Sequence, residues 1–307
     1  MSSVSAPVPS VARSCSACGA VLLLPPERVS ASCSYCGSHL VDDARSERSF
    51  DRVCPFRLGR RAAEERLRTH LRDAIWAPSE IRRLARGGSL RAEALHGVLV
   101  PFYRYDARTM GRYRARIGLD WTRTTHVLVG TRHETKHERH TEWFTLGGTT
   151  VGEWADHLEC ASRGLSEREV AKLGPFDLGH AAAFDPRLLA GWDSELPARA
   201  RADADGRAKA SIRDLAARRL AERVLPGDHV RVDQFACDVE LSRVDLVLVP
   251  VWIATYRHGG KPYRLLVHGQ EGRCVGRPPI SATKVSLAAA AFAAIAVLLL
   301  WLGGWPS

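Results

Sequence analysis

Four cysteines near the start of the chain are spaced for binding a metal ion. They form two CxxCG motifs on either side of a thirteen-residue spacer, and the ligating residues are Cys15, Cys18, Cys33 and Cys36. Each motif places two thiolates on a tight turn, and its glycine lets the chain bend without a Cβ clash. Four thiolates complete a tetrahedral shell around Zn²⁺ and leave no open position for a substrate. The spacing predicts one structural zinc site, and metal binding should supply much of the folding free energy of the ribbon.

The alternative for these motifs is a redox dithiol. A redox CxxC normally stands singly within a thioredoxin-like βαβ pattern, which this sequence lacks. The other four cysteines are scattered singly, and the first fourteen residues have no apolar core of a signal peptide. We therefore expect a reducing compartment, with one metal site and isolated thiols at Cys54, Cys160, Cys237 and Cys274.

A second motif, His133-Glu134-Thr-Lys-His137, matches the HExxH pattern of zinc proteases. That chemistry needs a helix, so that both histidines share a face and the glutamate acts as the base. Residues 131 to 142 hold no aliphatic side chain that such a helix would bury. The sequence predicts a solvated β-hairpin or loop here, whereas a hydrolase would require a second bound zinc. With no GxSxG, P-loop or GxGxxG motif, we expect no enzyme, no catalytic residues and no small-molecule substrate.

The C-terminal region contains eighteen uncharged residues from Val285 to Leu302. As a helix they would extend about 27 Å, close to the thickness of a bilayer's hydrocarbon core. Basic residues precede them, among them Arg277 and Lys284, which predicts that the bulk of the chain faces the cytosol. The pattern predicts a transmembrane helix over residues 284 to 302, in a single-pass, tail-anchored protein of the cytoplasmic membrane. A buried helix is the alternative.

The body between the two ends shows both helix and strand patterns. Helices are predicted after Pro55 with Ala63, Leu67, Leu71 and Ile75 on one stripe, from Ser79, and over residues 151–164, 166–173 and 198–224. Strand patterns occur at residues 97–117 and 246–267, each with an LVP step and a Tyr-Arg strand, which predicts a duplicated β-hairpin unit.

These patterns predict an α+β fold, with the zinc ribbon, a body with two β units and a helical insert, and a membrane helix. The expected segments are a flexible leader (1–14), the ribbon (15–40), a linker (41–55), an Arg-rich helical segment (56–95), and an α+β body (96–280). Within the body, two β units (96–150 and 228–280) flank a helical middle (151–227).

The net charge of +10 suggests anionic partners. Residues 57–91 hold ten arginines and four acids, which indicates either the solvated face of a packed helix or a surface for anionic lipid headgroups. Between Cys15 and Cys36, however, only Arg28 and Glu27 are charged. Ribbons that bind phosphates usually carry several cations, so nucleic acid is the less favoured partner.

Several motifs together resemble one bacterial family. They are the CxxCG ribbon, Pro55-Phe56-Arg-Leu, Gly97-Val-Leu-Val-Pro101-Phe, Gly174-Pro175-Phe176-Asp-Leu, Leu189-Ala-Gly-Trp192-Asp-Ser-Glu195 and Pro250-Val-Trp-Ile-Ala-Thr-Tyr256 through Gly276-Arg-Pro-Pro. Proteins of this kind, labelled as TFIIB-type ribbons or primosomal-helicase-like, combine a ribbon, an α+β body and a C-terminal membrane helix. Some accompany SPFH-domain and phage-shock-type membrane-stress proteins.

The resemblance implies the zinc role for Cys15, Cys18, Cys33 and Cys36, and it transfers no catalytic residue. With the ribbon and the expected anchor, it favours a non-enzymatic, membrane-tethered adaptor that recruits partner proteins. SPFH-domain or phage-shock-type proteins are the expected partners. The alternative is a nucleic-acid-binding ribbon protein associated with a helicase or with replication.

Overall fold

The computed structural model describes residues 11–19, 21–24, 28–33, 36, 38–42, 50–86, 95–129, 132–258 and 261–302. Side chains are described for these residues except 11–12, 21–24, 84, 86, 127–129, 132–134, 257, 262 and 298–302. Most of the predicted leader, the middle of the predicted linker and the expected Pro25-Pro26 turn lie outside the described residues.

Strands dominate the described chain. They are β1 (Val11–Ser14), β2 (Val21–Leu24), β3 (Arg28–Ser32), β4 (His39–Val41), β5 (Arg52–Val53), β6 (Leu95–Val129), β7 (Arg132–Cys160), β8 (Ala182–Ala183), β9 (Asp193–Glu195), β10 (His229–His258), β11 (Lys261–His268) and β12 (Cys274–Val275). The helices are α1 (Arg60–Asp73), α2 (Ser79–Arg86), α3 (Glu167–Leu173), α4 (Arg201–Arg219) and α5 (Ala282–Leu302). A 3₁₀ turn (Pro186–Leu189) and a π turn (Leu220–Val224) complete them.

The chain divides into two compact units. Unit 1 comprises Met1–Phe102, Ser162–Ala198 and Val247–Ser307, and unit 2 comprises Tyr103–Ala161 and Arg199–Leu246. The long strands β6 and β10 contribute residues to both units.

Unit 1 is built on a mixed sheet with the strand order β12–β11–β10–β6–β9–β3–β4. Strand β11 runs antiparallel to β10, whereas β9 runs parallel to β6. The buried stripe of α1 packs on this sheet, so that Leu67 and Leu71 join a core with Trp252 and Leu265. The Trp252 indole also donates a hydrogen bond to the carbonyl of Leu58, at 3.0 Å.

Unit 2 combines strands β6, β7 and β10 with helix α4, and β7 pairs with β6. Helix α4 packs against β7. It buries apolar residues at a spacing of four, namely Ala204, Ala208, Ile212 and Ala216. A buried guanidinium, that of Arg104, donates hydrogen bonds to the carboxylates of Asp106, Asp156 and Asp245.

The predicted α+β fold with a helical insert is wrong, because most of the described chain forms one large mixed sheet whose long strands replace expected elements. The residues from Val151 to Cys160 belong to β7 rather than to a helix, and Asp156 has a φ of 58°, which no helix accommodates. The first predicted hairpin is one continuous strand, β6, because residues 106–109 contain no glycine or proline to reverse the chain.

Other predicted elements are confirmed. The second hairpin forms from β10 and β11, in a register from Val251↔His268 to His258↔Lys261. Helix α3 starts with the expected capping box between Ser166 and Glu169. Helices α1, α2 and α4 lie where the periodicity places them, although Ile75 falls beyond the end of α1 and is exposed rather than on the buried stripe.

The prediction of a membrane-spanning helix over residues 284 to 302 is corrected by the structure of α5. In the part of the chain that the structure describes, no helix has both the length and the apolar character that crossing a bilayer requires. The Lys284 ammonium lies in the first turn and donates to the carbonyls of Ile75 and Ala77. The expected single-pass location in the cytoplasmic membrane rested on that span and is corrected with it.

Candidate metal centre

Two antiparallel strand pairs position the four cysteines. Strand β1 pairs with β2 and leads into Cys15, while β3 pairs with β4 and leads into Cys33. The first knuckle closes when the Gly19 amide donates to the Cys15 carbonyl, at 2.8 Å, and Gly19 adopts the positive φ of 76° that glycine permits. In the second, the Cys33 amide donates to the carbonyl of Ser38, at 2.7 Å.

The four sulfur atoms form one compact cluster, and all lie within 4.8 Å of one another. The Sγ atoms of Cys15 and Cys36 are 3.7 Å apart, and those of Cys18 and Cys33 are 3.8 Å apart. A regular tetrahedron with zinc–sulfur bonds of about 2.3 Å has sulfur–sulfur edges of about 3.8 Å. None of these four cysteines is in a disulfide, so the donor set fits a metal ion bound through four thiolates.

The surroundings favour the thiolate form that binds a metal. The Ser38 hydroxyl contacts the sulfur atoms of Cys15, at 3.1 Å, and Cys36, at 2.7 Å. Chiefly through this hydrogen bond, helped by the backbone amides of Cys18 and Ala17, the pKa of Cys15 falls to about 6. The same hydroxyl lowers the pKa of Cys36. Since metals bind thiolates, both shifts assist binding near neutral pH. Sequence reasoning missed Ser38, although its position directly after CxxCG was a readable signal.

The ribbon is joined to the sheet of unit 1 through β3. Strand β3 pairs with β9, and the buried Ser30 hydroxyl donates to the Trp192 carbonyl at 2.8 Å. The same hydroxyl lies 3.0 Å from that of Ser194. Within this contact, Arg28 also forms an ion pair with Asp193. The metal-bearing segment therefore forms part of the unit 1 sheet and includes its last strand, β4.

The HExxH segment lies on a strand, as the prediction of a solvated hairpin required. Residues 132–160 form β7, and the His137 imidazole contacts the hydroxyl of Thr124 on β6, at 3.1 Å. The side chains of His133 and Glu134 lie outside the described residues. Among the residues whose side chains are described, only the four cysteines form a group of three or more potential ligands close enough for one metal ion.

The four remaining cysteines lie outside the ribbon. Burial raises the pKa of the Cys274 thiol to about 11, and it also raises the pKa of Cys237. These two thiols therefore stay protonated near neutral pH, whereas the pKa values of the ribbon thiols Cys15 and Cys36 are shifted in the opposite direction.

Comparison with known proteins gives one weak similarity. The chain is 24% identical over 261 residues to an uncharacterized protein of Bacillus subtilis (strain 168), YdjG, and the alignment covers 82% of this chain and 72% of that protein. No family model matches the chain, and no solved structure matches it. An identity of this size does not assign the chain to a family.

Proposed function

We propose that the chain is a non-catalytic adaptor whose zinc ribbon forms a docking edge for partner proteins. The observation that carries the proposal is the four-sulfur cluster, whose edges of 3.7 and 3.8 Å match a closed tetrahedral zinc shell. In such a shell the protein supplies every ligand, and the metal acts on structure rather than on a substrate.

The position of the ribbon supports a docking role. Its strand β4 is the last strand in the order of the unit 1 sheet. A terminal strand presents backbone donors and acceptors along one side, and partner proteins use such edges for strand addition. Because β3 ends beside Cys33 and β4 begins beside Ser38, a metal bound at the cysteines would hold this edge in place.

The charge of the ribbon favours a protein partner over nucleic acid. Its cations Arg13 and Arg28 are already paired with Asp42 and Asp193, at 2.8 and 3.3 Å. Phosphate recognition depends on cations that can neutralise the backbone of the nucleic acid, so paired arginines contribute little to it. The resemblance of the sequence motifs points to SPFH-domain or phage-shock-type proteins as the class of partner.

An affinity pull-down of the full-length chain tests the proposal. The wild type, a Cys33→Ser variant and a Cys274→Ser control are compared after nuclease treatment, and bound proteins are identified by mass spectrometry. Cys274 is a suitable control because it is a half-buried thiol outside the ribbon.

We expect stoichiometric protein partners with the wild type and with Cys274→Ser, and their loss with Cys33→Ser. Recovery of nucleic-acid-processing proteins alone, abolished by nuclease, would contradict the adaptor function and favour the nucleic-acid alternative. Partners that bind the Cys33→Ser variant unchanged would show that docking does not use the ribbon.

A further inference from the structure

Strand β7 in unit 2 has one partnered and one open edge. It pairs with β6 along one side, and within the described ranges no strand pairs with the other side. An open edge of this length is a template for pairing with another chain unless the sequence protects it.

Three stretches of β7 differ in this protection. The first stretch, Arg132–Glu142, carries the charged residues Arg132, Glu134, Lys136, Glu138, Arg139 and Glu142. The middle stretch, Trp143–Gly152, has the sequence WFTLGGTTVG, with no charge and no proline. The last stretch, Glu153–Cys160, is charged again, at Glu153, Asp156 and Glu159. Charged side chains and proline are the usual means of blocking edge-to-edge pairing, so only the middle stretch lacks this protection.

The open segment Trp143–Gly152 is accessible and has unusually small residues at its centre. Trp143, Phe144 and Val151 are 50%, 44% and 54% exposed, although large apolar side chains are normally buried. At Gly147 an added Cβ would come no closer than 3.4 Å to any neighbour, so a Cβ would fit there. The fold of the chain therefore does not require a glycine at this strand position. Such a glycine often marks a place where another backbone approaches closely.

We propose that the segment Trp143–Gly152 is a self-association edge, at which β7 pairs antiparallel with β7 of a second copy of this chain. A two-fold pair places the same segment on both sides, so a strand whose segment carries like charges repels itself. Here the two copies bring together uncharged threonine, glycine and apolar side chains, and no like charges face each other within the segment. The occupant that this edge fits best is therefore its own copy.

Sedimentation velocity of the full-length chain over a range of concentrations tests the proposal. We expect a species of twice the chain mass of 33.8 kDa. The variants Val151→Lys and Thr149→Lys place a cation on the open segment in both copies. Each should raise the dissociation constant of the dimer by up to about fivefold, since a like-charge contact across strands costs up to about 1 kcal/mol.

Two controls separate this edge from other causes of association. Val224→Lys changes a valine of similar exposure, 47%, that lies in the π turn of the same unit rather than on the edge strand, and it should leave the dimer intact. Phe292→Glu alters the exposed apolar surface of α5, and it should also leave the dimer intact. A thermal melt of each variant checks that it is folded.

A wild type that stays monomeric at all concentrations would overturn the proposal. So would a dimer that survives both lysine variants and is lost in Phe292→Glu. Hydrogen–deuterium exchange on the wild type gives a test that needs no variant. As concentration rises, amides of Trp143–Gly152 should become slower to exchange while those of Arg132–Glu142 do not, and equal behaviour of the two segments would count against the edge.

Discussion

The four-cysteine ribbon and the helix-covered part of unit 1 share one sheet but differ in their buried side chains. Among the residues whose side chains are described, the buried cluster of the ribbon consists of Cys15, Cys33 and Leu40, two of which belong to the four-cysteine group. The cluster beneath α1 and α2 has nine buried residues, among them Leu71 and Trp252, and further aromatic rings pack on it. Within the described side chains, the first cluster is small and the second is extensive.

This difference shows how a sheet can contain a strand pair that its core does not stabilise. Burial of apolar surface is the main favourable term in folding, and a segment as small as the ribbon can bury little of it. In the proposed account, metal binding supplies the remaining free energy. We therefore expect loss of the metal to act locally, and loss of a core side chain to act on the body of unit 1.

The largest expected effect is that of removing the metal ligand Cys33. Metal binding to sites of this kind contributes about 10 to 16 kcal/mol, so Cys33→Ser should unfold the ribbon. Hydrogen–deuterium exchange should show loss of protection in β3 and β4 with protection in α1 unchanged. Cys274→Ser should leave both regions protected. Simultaneous loss of protection in α1 and β3 would break the comparison between the two regions.

The next largest expected effect is that of truncating Leu71, a fully buried residue on the sheet-facing side of α1. Leu71→Ala should lower the free energy of unfolding of the body by about 2 to 5 kcal/mol, because it leaves a cavity in a packed core. Ile75→Ala is the matched control, since Ile75 is 69% exposed and should cost less than about 0.5 kcal/mol. Denaturant unfolding followed by circular dichroism measures both. Equal costs for the two variants would contradict the assigned core.

A pH dependence should come from His268, which is fully buried in unit 1. Its Nε2 atom donates to the Pro175 carbonyl, and its Nδ1 atom accepts from the amides of Gln270 and Glu271. Burial lowers the pKa of this imidazole below 6.5, and the hydrogen bond to Pro175 and the charge of Glu271 offset burial only in part.

Because the unfolded chain binds a proton that the folded chain excludes, the stability of unit 1 should fall as pH drops from about 6.5 toward the lowered pKa. Above about 6.5 this group should have no effect on stability. Thermal melts at pH 7.5, 6.5 and 5.5 measure the trend, and His268→Gln should flatten it. An equal slope in the variant would assign the pH dependence to other groups.

The smallest expected effect concerns the contact between the ribbon and the rest of unit 1. Ser30→Ala removes the buried hydroxyl that joins β3 to the Trp192 carbonyl, and should cost about 1 kcal/mol. The ribbon should still bind its metal, while amides of β3 and β9 exchange faster. Ser32→Ala, an exposed change on the same strand, should have no measurable effect. Metal loss in the Ser30→Ala variant would mean that the ribbon depends on the body as well as on its ligands.

The spacing of residues close together in the sequence correctly predicted those features that depend on local contacts. The four cysteines come together because each knuckle closes on itself, and helix α3 begins where its capping box stands. The dismissal of the HExxH segment as a metalloprotease helix followed from its lack of aliphatic residues, and that segment lies on β7.

The elements that the sequence analysis did not predict correctly are determined by contacts between residues that lie far apart in the sequence. The residues from Val151 to Cys160 have a helix-compatible composition, yet they pair with β6 and pack against α4. Strand β3 joins the unit 1 sheet through β9, more than 160 residues away. The apolar composition of residues 285–302 favoured a membrane span, but within the described residues no helix meets the requirements for crossing a bilayer, and Lys284 at the start of α5 donates to carbonyls of unit 1.

The most direct test of the account is the metal content of the purified full-length chain by native mass spectrometry, for the wild type and for Cys33→Ser. The account predicts one zinc ion per wild-type chain and none in the variant. A wild-type chain that is folded and free of zinc, or a Cys33→Ser chain that keeps it, would contradict a ribbon held by a closed four-thiolate zinc site.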